Sequence, residues 1–248
     1  MADKKSTSDN KANARFDAAQ QQLGRIPGAT VGRAVDPNPS AAVLRREAQE
    51  AADRVLTDLE IVRYWQAASM MEEPFGALLK ILLLTGARLN EVARMSRLEL
   101  SDDAATWSLP SARTKNRRAH LVPLPPLAQD IIANVKQIDG CPFLFSTNGR
   151  TPVSGWSKIK KRMDGAMGAP PSWRLHDLRR TCAIGMAAIG VAPHIVEVCL
   201  NIRGSYARGA GAYNKALHIT ERRAALGRWA AHITRLTEEC ACSPCNKR

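Results

Sequence analysis

Apolar residues recur at helical spacing through most of this chain, and the stretch from Arg174 to Tyr213 shows the pattern most fully. From Leu178 they fall at Cys182, Met186 and Ile189, one face of a helix that Gly190 stops. Pro193 opens a second short helix carrying Ile195, Val196, Cys199 and Leu200 inward. Upstream, Thr57 and Glu60 form a capping box for a helix that turns Leu59, Val62 or Tyr64, Trp65 and Ala68 toward a core. Pro74 starts a helix that is apolar nearly all round, from Phe75 through Leu84 to a stop at Gly86, so it belongs in the middle of a domain. Leu89, Val92 and Met95 then mark a further helix.

After Leu100 the period changes to two. Thr106 to Leu109 and His120 to Leu124 read as the arms of a β-hairpin, with RTKNRR between them and Lys115 at the tip. Leu127, Ile131, Val135 and Ile138 predict another helix, and Phe143 to Phe145 a short strand. Ser154 is expected to cap a helix with Trp156, Ile159, Met163 and Met167 on one face. Thr220 is expected to cap a last one with the stripe Leu226, Trp229, Ile233 and Leu236. The fold class is mainly α (α+β), with one small antiparallel sheet. Residues 1–52 read as a mobile or partly helical arm, with helices around Ala12 to Leu23 and Ser40 to Val55. Residues 53–238 form the compact domain, and 239–248 a disordered tail.

Composition narrows the partner. The chain of 248 residues is 45% hydrophobic and carries a formal net charge of +13, which favours a polyanion. It has no apolar run of membrane-spanning length and no signal peptide, so a cytoplasmic, nucleoid-associated protein is expected. Cys141, Cys182 and Cys199 lie in apolar contexts. Cys240, Cys242 and Cys245 are three thiols where a zinc site wants four ligands, so no metal is expected.

His176 and Arg179, three apart at the start of a helix, point the same way. Arg88 and Glu91 form another such pair, which on its own reads as a surface ion pair. Lys158, Lys160, Lys161 and Arg162 form a cationic row suited to phosphate contact. Guanidinium forks match phosphate geometry, a phenol such as Tyr213 can attack phosphorus, and Lys115 or His176 can handle protons. No step of such chemistry needs a cofactor.

These stretches resemble the catalytic domain of the tyrosine recombinase (phage integrase) family. TGARLNEV is similar to its first arginine box, TKN-RRAH-LVPL to its lysine hairpin, HDLRRT to its second arginine box and GAYNKA to its nucleophile segment, and the similarity extends from Leu56 to Ile233. The resemblance implies that Arg88 and Arg179 clamp the scissile phosphate, with Glu91 supporting Arg88. Lys115 would protonate the departing 5′ oxygen, His176 would act as acid or base, and Tyr213 would form a 3′-phosphotyrosine; Tyr206 is the weaker alternative nucleophile. Arg117 and Arg180 join the lysine row as DNA-facing cations. Double-stranded DNA is the implied partner, bound by a homo-tetramer that exchanges a C-terminal helix drawn from residues 220–236.

Three departures stand out. Family members usually place a His or Trp donor where Ile202 stands, a loss worth about 10²- to 10³-fold in rate unless Arg203 substitutes. The loop to Tyr213 is also about one residue short. Relatives carry a helical DNA-clamping domain before the catalytic one, and the segment before Leu56 is too short for it. The implied activity is site-specific recombination or integration. The alternatives are an impaired remnant that binds DNA without turnover and a type IB topoisomerase-like nicking and resealing activity.

Overall fold

The structure is a computed structural model that describes residues 54–202 and 218–242. The expectations for residues 1–52, for Arg203, Tyr206 and Tyr213, and for Cys245 lie outside the described residues. In chain order the elements are α1 (Asp58–Ser69), α2 (Phe75–Thr85), α3 (Leu89–Ala93), β1 (Thr106–Leu109), β2 (His120–Pro123), α4 (Pro126–Ala133), α5 (Trp156–Ala166), α6 (Asp177–Ala188), α7 (Pro193–Cys199) and α8 (Ile219–Cys242).

Helix α2 is central because its surface is apolar nearly all round, with half-buried Lys80 the one charged residue on it. Leu78, Leu79, Ile81, Leu82, Leu83 and Leu84 are all essentially inaccessible, and burying each is worth about 1.5–3 kcal/mol. Helices α1, α3, α4, α6 and α8 pack around it. Gly86 ends it in the left-handed region, φ 59°, with its N–H donating to Leu82. A Cβ at Gly86 would stand 2.6 Å from Leu200 Cδ2 and 2.9 Å from Cys182 Sγ, so α6 and the end of α7 close directly on this turn. On α1 the Thr57 and Glu60 capping box forms as expected. Ile61, Val62, Tyr64, Ala67 and Ala68 are the buried face, and Tyr64 donates its hydroxyl hydrogen to the Leu79 carbonyl at 2.8 Å. Leu59, expected inward, is 55% exposed, because the apolar stripe is centred on Ile61 and Val62.

The hairpin pairs Trp107 with Val122 and Leu109 with His120. Trp107, Leu109 and Val122 are buried, while Leu121 points outward at 38% exposure. Four other sequence expectations are corrected. The α4 pattern continues to Ile138, yet the helix stops at Ala133: the Val135 N–H folds back to Ile132, and Arg97 takes the Val135 carbonyl at 3.1 Å. Phe143 to Phe145 is no strand. Leu144 and Phe145 are buried, but their backbone meets irregular segments, Leu144 N–H on Met95 O and Val153 N–H on Phe145 O. Gly155, φ 83°, is the N-cap of α5 in place of Ser154, and makes no side-chain cap. Helix α8 starts at Ile219, which puts Thr220 inside its first turn, and runs past residue 238 to Cys242. The apolar stripe persists to Leu236.

Trp229 joins α8 to both central helices. Its Nε1 donates to the Leu83 carbonyl at 2.9 Å, and a Cβ on Gly185 of α6 would run into its Cζ3 and stand 2.5 Å from its Cη2, leaving no room for one. The indole cannot retreat without losing its hydrogen bond. Gly185→Ala is therefore expected to lower stability by about 1–3 kcal/mol through overpacking, seen as an earlier denaturant midpoint with helical content retained. An unchanged midpoint would mean that α8 can shift freely.

Candidate active site

Arg179 sits in the first turn of α6 and is 9% exposed. Its guanidinium donates from Nη1 to the Gly86 carbonyl at 2.8 Å and from Nη2 to the Leu200 carbonyl. These two oxygens close α2 and α7, so the cation lies between two helix C-termini, where unpaired carbonyls concentrate partial negative charge. No carboxylate among the described residues bonds it. Burial, then the nearby charge of Arg88, brings its pKa down to about 10, which leaves it protonated at neutral pH.

Arg88 follows Gly86 by two residues, so the turn that supplies an acceptor for Arg179 also delivers the second guanidinium. It is the N-cap of α3 in extended backbone. Glu91, 6% exposed, holds it twice: Oε2 accepts the Arg88 backbone N–H at 3.0 Å and Oε1 pairs with Nη1 at 3.0 Å. The structure thus makes Arg88–Glu91 a buried-sided pair.

His176 is the N-cap of α6 and is exposed. Partial burial, then Arg179 and Arg180, push its pKa below the ordinary histidine value, with Asp177 opposing and Arg88 adding a smaller downward push. Its imidazole is neutral at pH 7, the form able to accept a proton. Asp177 anchors this corner, accepting the Arg174 N–H at 2.7 Å and pairing with Arg180 at 3.6 Å.

Lys115 is exposed at the hairpin tip. The neighbouring Asn116 donates from Nδ2 to Asn201 Oδ1 at 2.6 Å. Asn201 itself holds a positive φ of 51°, and the bonds Asn201 N–H to Val198 O and Ile202 N–H to Glu197 O close α7 as a Schellman turn. The tip is thereby fastened beside the carbonyl that receives Arg179. Ile202, the next residue, is 43% exposed.

The cationic row on α5 divides. Lys158, Lys161 and Arg162 are exposed, and Arg162 lies 3.6 Å from Glu72. Lys160 turns inward instead: its ammonium bonds both Asp164 oxygens, at 2.5 and 2.7 Å, and stands 4.2 Å from the Trp173 ring centroid. Trp173 Nε1 also donates to Asp164 at 2.8 Å, so Lys160 and Trp173 share one carboxylate. Arg117 is exposed with φ 55°. Among the described residues no group of His, Cys, Asp or Glu gathers as a metal site.

Two residues of this region were not singled out from the sequence. His120 on β2 contacts the Cys199 carbonyl through Nε2 at 3.0 Å, and its Nδ1 lies 3.5 Å from Arg222 Nη2. A carbonyl only accepts, so Nε2 carries the hydrogen and Nδ1 is left to accept from the arginine. Burial, then Arg222, force its pKa down to about 3, the Cys199 carbonyl opposing and Arg179 and Arg88 adding to the fall. Arg222 is 3% exposed. Sequence signals for both existed: His120 is in phase with Val122, and Arg222 falls on the stripe of Leu226, Trp229 and Ile233.

A sequence model of the phage integrase family matches residues 54–203. The chain belongs to this family. No curated protein is a significant sequence match. Among solved structures, XerA recombinase is 16% identical, with 86% of this chain and 73% of that one covered and a TM-score of 0.51. A lambda integrase(75-356) dimer bound to a COC' core site is 17% identical, with coverages of 77% and 68% and a TM-score of 0.51. A lambda integrase tetramer bound to a Holliday junction is 16% identical, with coverages of 61% and 47% and a TM-score of 0.50, so the chain spans about half of that protein's length. At these identities the likeness is one of fold, the mainly helical phage integrase fold with its small β-hairpin.

His120 gives the site a pH signature. Its folded pKa lies below the unfolded value of 6.5, so the unfolded chain binds the extra proton first. The associated stability is complete above about pH 6.5 and is lost as the pH falls toward 3. His120→Gln keeps a donor for Cys199 and an acceptor for Arg222 but cannot titrate. Its melting temperature is expected to fall less steeply than wild type between pH 7 and 4. Identical slopes would show that the imidazole is not held neutral.

Proposed function

We propose that this chain is a site-specific DNA recombinase that cuts and rejoins strands through a 3′-phosphotyrosine, with residues 53–238 as its catalytic domain. The observation that carries this reading is the pairing of Arg88 and Arg179 on one turn. Glu91 offsets the charge of Arg88, while Arg179 is held by uncharged carbonyls at two helix ends, so the pair keeps a net positive charge suited to an anion such as a phosphate.

The two guanidiniums hold the non-bridging oxygens of the scissile phosphate and take up the charge that builds on them. The Tyr213 Oη–P bond forms as the P–O5′ bond breaks; the phenolic proton passes to the neutral imidazole of His176, and Lys115 gives a proton to the departing 5′ oxygen. Rejoining is the reverse, with a 5′ hydroxyl attacking the phosphotyrosine. Arg203 stands in for the donor that Ile202 lacks. Lys158, Lys161, Arg162, Arg117 and Arg180 contact the backbone of double-stranded DNA, Lys160 being engaged by Asp164. No helix among the described residues is long and apolar enough to cross a membrane. The active form is a tetramer on DNA at the nucleoid, by analogy with the lambda integrase tetramer bound to a Holliday junction.

Ile202 favours a second reading, DNA binding without turnover, because its exposed side chain has no hydrogen-bond donor to offer a phosphate. One experiment separates the two. On a nicked suicide duplex, wild type is expected to form a covalent adduct that denaturing electrophoresis retains. Tyr213→Phe abolishes it and Arg179→Met slows it by about 10²- to 10³-fold. Salt-sensitive binding with no adduct on any site would establish the second reading, and an adduct that survives Tyr213→Phe would refute the assigned nucleophile.

A further inference from the structure

The loop that carries Lys115 is fastened at its root as well as at its tip. Arg113 ends a 3-10 turn two residues before Lys115. Its Nη2 donates to the backbone carbonyl of Glu91 at 2.7 Å and its Nη1 pairs with Glu99. Glu99 is itself fixed, with Oε2 accepting the Trp107 indole N–H at 2.9 Å and the Ser96 N–H at 3.3 Å. Glu91 is the residue whose carboxylate holds Arg88, so one guanidinium joins the hairpin to the pedestal of the first arginine.

Between root and tip the chain has little freedom. Thr114, 5% exposed, donates its hydroxyl hydrogen to Arg118 O at 2.9 Å and accepts the Arg118 N–H at 3.0 Å, closing a ring around Lys115, Asn116 and Arg117. The hydrogen bonds of Arg113 go to Glu91 O and Glu99, and none goes to Arg88, Arg179, His176 or Lys115. Its bonds are spent on holding the ring in register.

We propose that Arg113 is a positioning residue for strand cleavage, setting the place of the Lys115 ammonium by tying the hairpin root to the Glu91 carbonyl. The inference rests on the reading of Lys115 as the group that protonates the 5′ oxygen. A proton donor displaced by about 1 Å loses on the order of 10²-fold in rate, and a five-donor fork with two fixed acceptors is better suited to prevent this than a lysine.

The test compares single-turnover cleavage of two saturating suicide duplexes, one with the natural 5′ oxygen and one with sulfur at that bridging position. Sulfur leaves as a thiolate, since a thiol has a pKa of about 8.5 and needs no proton donor. Arg113→Met is expected to slow the oxygen substrate by about 10- to 100-fold and to leave the sulfur substrate near wild type, the pattern also expected of Lys115→Ala. Arg113→Lys should fall between Met and wild type, and it carries the same comparison if the Met variant melts early. Equal slowing of both substrates by Arg113→Met, with Lys115→Ala still rescued by sulfur, would overturn the proposal alone, as would an Arg113→Met rate equal to wild type. Lys115→Ala that sulfur does not rescue would overturn the role of Lys115 and this inference with it. Wild type that forms no adduct on either duplex would overturn the proposed function and everything built on it.

Discussion

A buried arginine held by two helix ends is the constraint around which this domain is arranged. A guanidinium removed from water needs hydrogen-bond acceptors, and a carboxylate would meet that need while cancelling the charge. Arg179 receives carbonyls instead, from Gly86 at the close of α2 and Leu200 at the close of α7. The acceptors lower the cost of burial while the unit charge remains. Three helices must therefore converge on one point, and Gly86 has no side chain because Cys182 and Leu200 already occupy that space.

The turn Cys199 to Asn201 shows how far that convergence reaches. Its successive backbone and side-chain groups are taken by His120 of β2, by Arg179 of α6 and by Asn116 of the hairpin tip. Elements separated by some 80 residues along the chain meet on a single Schellman turn. The two histidines in this region are both kept neutral by burial and by neighbouring cations, one as an internal strut and one at the open edge.

Much of this was legible in the residues. The nearly all-apolar run from Phe75 to Leu84 identified the central helix, the Thr57 and Glu60 pair its neighbour's start, and the change to period two the hairpin. What failed was local and had local causes. Ser154 looked like a cap, but a left-handed glycine begins α5. Phe143 to Phe145 had the burial of a strand without a strand partner, and α4 ended early because Arg97 claimed the Val135 carbonyl. Lys160 looked like one more surface cation until Asp164 and Trp173 were seen to enclose it.

The sequence by itself determined the helical periods, the order of Arg88, Lys115, His176, Arg179 and Tyr213, and the excess of positive charge, because each is a property of neighbouring residues or of the whole composition. Only the tertiary structure decided which of the basic groups face one another and what holds them. Hydrogen bonds such as Arg179 to Gly86, Arg113 to Glu91 and His120 to Cys199 join residues between 22 and 93 positions apart. Backbone carbonyls accept them, and a carbonyl looks the same at every residue, so no pattern of side chains announces which one will be used.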